Sequence, residues 1–395
     1  MESTIDYSNY SLDELIQARQ TIDTDTYPAR AAELDRLIAE RQAIVATTTA
    51  ETQAQELRRV GVRFHGNAKE FFSIWIVNLL LTLVTLGIYS AWAKVRTNRY
   101  FYGNTEIDGH RFAYLAEPLQ ILKGRIIAAI AFAAFAVLQM INPVFALILM
   151  LVFAAFTPLI VVLGLRFKMR MTAYRNVRFQ FHGSYGDAFL VFVVWPFLSI
   201  FTFYLLMPWV LKKIDQYIID NTSFGDRSFD TGIKTSEYYA NSISASLLFV
   251  LVFIVGALVS AFVLAPLSAV EGFDLSVLGI LASYLIGFAV ASSFYQARIR
   301  NHLFGKTKID SVARLSSQVE TFGLVKLRVV NTLAIVFTLG LAIPWAKIRA
   351  AKFFADATQI TVLSGINEVL AGDNGTVGAT AEEAATLFDV DLAVG

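Results

Sequence analysis

The chain has 395 residues, of which 56% are apolar and only 16% charged; 32 are phenylalanine and none is cysteine. Soluble domains usually carry about a quarter charged residues, so this composition excludes an ordinary soluble protein. The missing thiols exclude disulfides, thiolate metal sites and cysteine nucleophiles, and the net charge of +1 argues against a nucleic-acid-binding surface.

Residues 1–60 read as a soluble N-terminal helical hairpin. Ser11-Leu-Asp-Glu14 has capping-box spacing ahead of Leu15 and Ile16, and Pro28 opens a second helix with Leu34, Leu37 and Ile38 on one face. A polar linker, Thr47-Thr-Thr49, follows. The opening Met1-Glu-Ser-Thr-Ile-Asp6 has neither a basic n-region nor an apolar core, so no cleaved signal peptide is expected.

Uncharged runs then cover 71–93, 126–165, 188–211, 239–270, 275–297 and 329–346. A membrane span needs roughly 20 residues, so the run from Ile126 to Leu165 is long enough for two, and Asn142-Pro143 divides it into a hairpin. Three runs end on a tryptophan in one register. Trp92, Trp209 and Trp345 are each followed four residues on by a base (Arg96, Lys213, Arg349), eight on by an aromatic (Tyr100, Tyr217, Phe353) and thirteen on by a threonine (Thr105, Thr222, Thr358). Seven residues before them stand Thr85, Thr202 and Thr338, and Phe64-His65-Gly66 and Phe181-His182-Gly183 open the first two copies 28 residues upstream. The register divides the chain into a first membrane repeat over 61–183, a second over 181–316 and a partial third over 317–363. Residues 364–395 read as a mostly disordered acidic tail, with Leu387–Leu392 as a docking segment.

Bases follow each Trp-ending segment and each hairpin: Lys94, Arg96 and Arg99; Arg166, Lys168, Arg170 and Arg175; Lys212 and Lys213; Arg298 and Arg300; Lys347, Arg349 and Lys352. Full crossing by every run would divide these clusters between the two faces, against the positive-inside rule. If only the hairpins 126–165 and 243–297 cross, while the Trp-ending segments enter and leave on one side, every base and both termini are cytoplasmic. Thr85-Leu86-Gly87, Thr338-Leu339-Gly340, Pro208 and Pro344 suit broken helices of that kind. Kinked spans in inverted-topology repeats are the alternative. Glu271 and Asp274, between the arms of the second hairpin, read as a solvated outer loop. Strand-like alternation at 105–114, 177–181 and 223–229, with 307–313 and 359–363, predicts a small cytoplasmic sheet or set of hairpins. The expected fold is therefore an all-α polytopic membrane protein: two transmembrane helical hairpins plus three broken Trp-ending segments, with small cytoplasmic β-hairpin elements.

Phe64-His-Gly66, the run Leu79–Tyr89, Trp92-Ala-Lys-Val-Arg96 and Asn104-Thr105 together resemble the YjgN family of bacterial inner-membrane proteins, a domain family of unknown function. The resemblance covers roughly 60–365. It implies a multi-pass protein of the bacterial cytoplasmic (inner) membrane and implies no substrate, cofactor or catalytic residue. The second copy departs from the pattern: Tyr204 replaces the turn glycine, and Trp195 stands where the others have Asn78 and Asn331.

No Gly-rich phosphate loop, nucleophile elbow or His-Glu-x-x-His string occurs, so enzyme is the weakest class, and no catalytic residue, metal site or cofactor is expected. The matched His65 and His182 invite a metal or proton-relay reading, but no ligand pair has short metal spacing, which favours interfacial hydrogen bonding. Asn78, Thr85, Gly87, Asn331, Thr338 and Gly340 form a candidate solute path in the broken helices, against a plainer role in helix-to-helix hydrogen bonds. Trp92, Arg96, Trp209, Lys213, Trp345 and Arg349 are candidate interfacial anchors, with membrane lipids, anionic headgroups among them, as partners. Two function classes stand: transport or channel-like passage of a small solute, favoured because broken helices usually serve a site, and a non-catalytic structural or lipid-organising role.

Overall fold

The computed structural model of the chain describes residues 7, 10–24, 26–56, 58–268 and 275–369. The tail beyond Val369, with its expected docking segment, and the loop carrying Glu271 and Asp274 lie outside the described residues. Two compact units emerge, Met1–Arg58 and Arg59–Gly395.

In the first unit, helices Leu12–Thr21 and Pro28–Glu56 pack around Tyr7, Leu15, Ala31 and Leu34. Ser11 and Glu14 form a reciprocal cap: Glu14 Oε2 accepts from Ser11 N at 2.8 Å, and Ser11 Oγ accepts from Glu14 N at 3.4 Å. The second helix runs on through Thr47–Thr49, so no linker interrupts it.

The second unit corrects the all-α expectation. Among its described residues, eleven short strands form one antiparallel sheet in the order β1-β11-β10-β9-β8-β7-β6-β5-β4-β3-β2. The strands are β1 (Arg58–Gly61), β2 (Arg63–Phe64), β3 (Thr105–Ile107), β4 (His110–Tyr114), β5 (Thr172–Tyr174), β6 (Val177–Phe181), β7 (Thr222–Phe224), β8 (Arg227–Thr231), β9 (Thr307–Ile309), β10 (Ala313–Ser317) and β11 (Thr358–Val362). The two ends of that order, β1 and β2, are neighbours in the chain across Val62, whose N–H donates to Thr358 O at 3.1 Å. The sheet therefore comes nearly full circle as a ring, with the single segment 58–64 pairing with β11 through β1 and with β3 through β2, which leaves little exposed edge. Residues from nine strands, Ile107, Phe112, Tyr174, Val177, Phe179, Phe224, Phe229, Ile309, Ala313 and Ile360, meet in a single apolar cluster with Val312. Its aromatic rings meet at tilted angles, as in Phe112–Tyr174 and Phe179–Phe224, both at 5.0 Å between centroids. Among the described residues the ring thus holds a packed apolar cluster.

Five helical hairpins leave and re-enter the ring. Hairpin A is Ala68–Val84 and Ser90–Gly103, B is Pro118–Ile141 and Pro143–Arg170, C is Tyr185–Phe201 and Met207–Asp220, D is Thr235–Leu264 and Leu275–Lys306, and E is Thr321–Phe337 and Ile343–Asp356. Each packs on the next, and the last arm of E packs on the first arm of A, so the helices form a closed wreath on the ring. The arms of B and D are, among the described residues, the four helices long and apolar enough to cross a membrane.

One junction joins each hairpin to its strand. Thr105, Thr172, Thr222, Thr307 and Thr358 open β3, β5, β7, β9 and β11, and each hydroxyl donates to the carbonyl four residues earlier at 2.6–2.9 Å. This satisfies a carbonyl that the ending helix would otherwise orphan. The three threonines thirteen residues past each Trp are members of this set; Thr172 and Thr307 belong to the same set but follow hairpins that lack the Trp register. Within hairpin D the arms meet through small residues, Gly256 against Ser283 and Gly279 against Ser260, where no larger side chain fits.

Candidate functional site

The tips of the short hairpins A, C and E share one turn. Each places two successive residues at positive φ: Leu86 (50°) and Gly87 (93°), Phe203 (50°) and Tyr204 (63°), Leu339 (50°) and Gly340 (92°). The second donates its N–H back over the helix end, Gly87 to Thr82 O, Tyr204 to Ser199 O and Gly340 to Ile335 O, each at 2.8 Å. The threonine seven residues before each Trp completes the turn: its Oγ1 accepts from Tyr89 N, Leu206 N or Ala342 N at 2.9–3.2 Å. Tyr204 meets the same geometry without glycine, which explains how the second copy keeps the turn.

Each residue of the candidate solute path has a partner or a conformational duty inside its own hairpin. Thr85 and Thr338 build the turns, and Gly87 and Gly340 supply their positive φ. Asn78 Nδ2 donates to Ala93 O at 3.4 Å and Asn331 Nδ2 to Ala346 O at 3.2 Å, the same bond between the two arms of A and of E. Arg349 donates to Asn331 Oδ1 at 3.4 Å, whereas Asn78 Oδ1 is buried without a partner. In hairpin C, Trp195 fills the Asn position and meets Trp209 edge to face at 5.1 Å.

The anchor residues lie on the returning arms. Lys213 stands over the Trp209 ring at 5.5 Å and Arg349 over the Trp345 ring at 5.1 Å, so the four-residue spacing between Trp and base is a cation–π pair in C and E. In A, Trp92 stacks instead on Tyr89 at 6.1 Å, and Arg96 is exposed. His65 and His182 perform matched roles at the ring, with Nε2 3.1 Å from Glu106 Oε2 and 2.9 Å from Ser223 Oγ respectively.

A contact not anticipated from the sequence fixes the relative height of short and long hairpins. Arg125 of hairpin B donates to Ser90 Oγ at the tip of hairpin A. Beyond Arg125 the arm of B continues without charge to Ile141, 16 residues or ~24 Å of helix, so the tip of A ends well short of the tip of B. Arg328 ties hairpin E to D in a similar manner, donating to Ser292 Oγ at 2.9 Å and Ser293 Oγ at 3.2 Å. The apolar tips of A, E and C are uncovered by protein: Leu86 and Leu339 are 95% exposed and Phe203 91%.

Between C and D lies a second feature that sequence reasoning missed, because its members are far apart in the chain. The fully buried Tyr238 donates from its hydroxyl to Asp215 Oδ2 at 2.6 Å. Burial raises the Asp215 carboxyl above its ordinary 3.8, and the Tyr238 hydrogen bond opposes that shift without cancelling it. A carboxyl whose folded pKa is raised binds more protons folded than unfolded, so its contribution to stability is present below 3.8 and is lost as pH rises through the folded pKa. Asp215→Asn should keep an acceptor for Tyr238 and remove that loss. The expected result is a flatter dependence of unfolding on pH above 3.8 in a denaturant titration; a slope equal to the wild type's would refute the assignment.

Comparison with known proteins agrees with this architecture's membrane character. The model of a bacterial protein family of unknown function, DUF898, matches residues 59–387. The protein named inner membrane protein YjgN from Escherichia coli O157:H7 is 25% identical over 354 residues, covering 75% of this chain and 87% of that protein. Its namesake in Salmonella typhimurium is 26% identical over 348 residues, with the same coverage, and that of Escherichia coli K12 is 35% identical over 127 residues, 31% of each chain. No solved structure matches. With the family model spanning most of the chain, this protein belongs to the YjgN family, the bacterial family of unknown function DUF898.

Proposed function

We propose that the chain is a multi-pass protein of the bacterial inner membrane with a structural, lipid-organising role: hairpins B and D cross the bilayer, and the tips of A, C and E enter one leaflet to about its inner limit. The observation that carries this reading is the uncovered apolar tip of each short hairpin, which in A is set below the tip of its long neighbour B by the Arg125–Ser90 bond. The continuous sheet supports a single face for every strand, because hydrogen-bonded strands share one side of a membrane and each hairpin must then return to it. The bases on the returning arms support the cytoplasm as that side, and both termini with it. Lys213 and Arg349, held over tryptophan rings at the same level, suit anionic headgroups, at about 1 kcal/mol per base.

The test is retention of phosphatidylglycerol by protein purified in mild detergent. Arg96→Gln, Lys213→Gln and Arg349→Gln together should lower it severalfold, while Asn78→Leu with Asn331→Leu should leave it unchanged and cause no loss of proton or potassium leak in proteoliposomes. Wild-type lipid retention in the triple variant, or a leak that the asparagine pair abolishes, would favour a solute path instead. Because the chain has no native cysteine, single cysteines at Asn142 and Lys308 test the orientation directly. An impermeant thiol reagent should label Asn142→Cys alone in intact spheroplasts, and labelling at Lys308→Cys would reverse the assignment.

A further inference from the structure

With its apolar residues inward, the ring turns a different face outward along β4, β5 and β6. There a groove of about 370 Å³ is lined by His110, Arg111, Arg175 and Arg178 around Ala113, Leu115 and Ala173. Among the described residues no carboxylate lines it, and Glu106 approaches from the side, 3.9 Å from Arg111 Nε. Arg175 donates to Asn367 Oδ1 at 3.0 Å, and Ile366 and Val369 pack on the ring's apolar core. The chain is thus pinned beside the groove at the point where residues 370–395 begin. Those residues contain Asp373, Glu382, Glu383, Asp389 and Asp391 and neither lysine nor arginine.

We propose that the acidic segment 370–395 occupies this basic groove, so that the outer face of the ring is covered by the chain's own carboxylates. Reach is ample: Asp373 lies four residues past Val369, up to ~14 Å of extended chain, and Glu383 up to ~48 Å. Tethering raises the local concentration of the carboxylates to about the millimolar range, which lets individually weak exposed ion pairs hold the segment. The pairs are open to solvent, so the seating is salt-sensitive on the scale of a Debye length of about 8 Å at physiological ionic strength. This assignment does not depend on the lipid-organising reading, since it concerns the face of the sheet and not the hairpin tips.

Spin labels on Leu115→Cys and Ala384→Cys in the full chain, in nanodiscs of neutral lipid, read the distance between groove and segment. The expected distribution is short and narrow, and it should become broad in Arg111→Glu with Arg178→Glu and again at high salt. Both arginines are exposed, so the folded ring should persist; an unchanged thermal transition verifies this. Neutralising the segment instead, with Asp373→Asn, Glu382→Gln, Glu383→Gln, Asp389→Asn and Asp391→Asn, should broaden the distribution with no change to the ring. A broad wild-type distribution, or a narrow one indifferent to both sets of substitutions, overturns the proposal. So does a distribution that broadens on adding phosphatidylglycerol alone, which would give the groove to lipid headgroups.

Discussion

Gly279→Val should sharply reduce the yield of folded protein. The second arm of hairpin D passes the first so closely that a Cβ at Gly279 would stand 2.5 Å from Leu264 Cδ1 and 3.0 Å from Ser260 Cβ, and one at Gly256 would stand 2.5 Å from Ser283 Cβ. Neither arm can yield separately, because both are rooted in the ring by β8 and β9, which pair with one another. Overpacking of this kind costs ~1–3 kcal/mol even where neighbours relax, and here relaxation means parting two helices along their length. Gly305→Val in the same arm is the control, since a Cβ there meets nothing within 4 Å. Gly256→Ser combined with Ser283→Gly moves the small residue to the other arm and should recover much of what Gly256→Ser alone loses. Thermal transitions of these variants in nanodiscs provide the measurement, and a Gly279→Val protein as stable as Gly305→Val would mean that the arms do not pack this closely in the membrane.

Leu86→Asp, Phe203→Asp and Leu339→Asp form the second large prediction, because it distinguishes a buried tip from a wet one. These side chains have almost no protein neighbours, being 91–95% exposed, so in water their replacement would be nearly neutral. In hydrocarbon, a charged group near the bilayer centre costs ~2.5–3.5 kcal/mol on insertion scales. Each substitution should therefore lower stability in nanodiscs by about that amount if the tip reaches mid-depth, by less near the headgroups, and hardly at all in short-chain detergent. Three unaffected variants would place all three tips in water and remove the physical basis for leaflet insertion. An effect at one tip only would mean that the shared turn does not imply a shared depth.

Several local features were legible in the chain because they depend on neighbours in sequence. The Ser11–Glu14 cap spans three residues, the Trp-to-base cation–π pairs four, and each tip turn is built from its own threonine and the two residues after it. The uncharged run 126–165 needed only its length and Asn142-Pro143 to read as a hairpin. Alternation at 105–114 and 177–181 likewise marked segments that are strands β3, β4 and β6. The all-α expectation failed for a physical reason: most strands have three to five residues, and partners such as β6 and β7 are separated by a whole helical hairpin. Periodicity over so few residues gives little signal, and a strand's partner cannot be read from its own composition.

What the sequence determined by itself was therefore chemistry and local form: an apolar chain, charges gathered at the ends of apolar runs, and a threonine turn stated three times. Tertiary structure decided closure. Only the pairing of β1 with β11 and β2 with β3 makes a ring, and only the packing of E on A makes a wreath. The five equivalent threonine junctions became visible there as well, since Thr172 and Thr307 have no Trp thirteen residues upstream and share with Thr105, Thr222 and Thr358 the position where a helix ends and the ring begins. Likewise the Arg125–Ser90 bond and the Tyr238–Asp215 pair join residues 35 and 23 apart. Their meeting follows from which hairpins stand side by side, and that neighbourhood is fixed by the order of strands in the sheet beneath them.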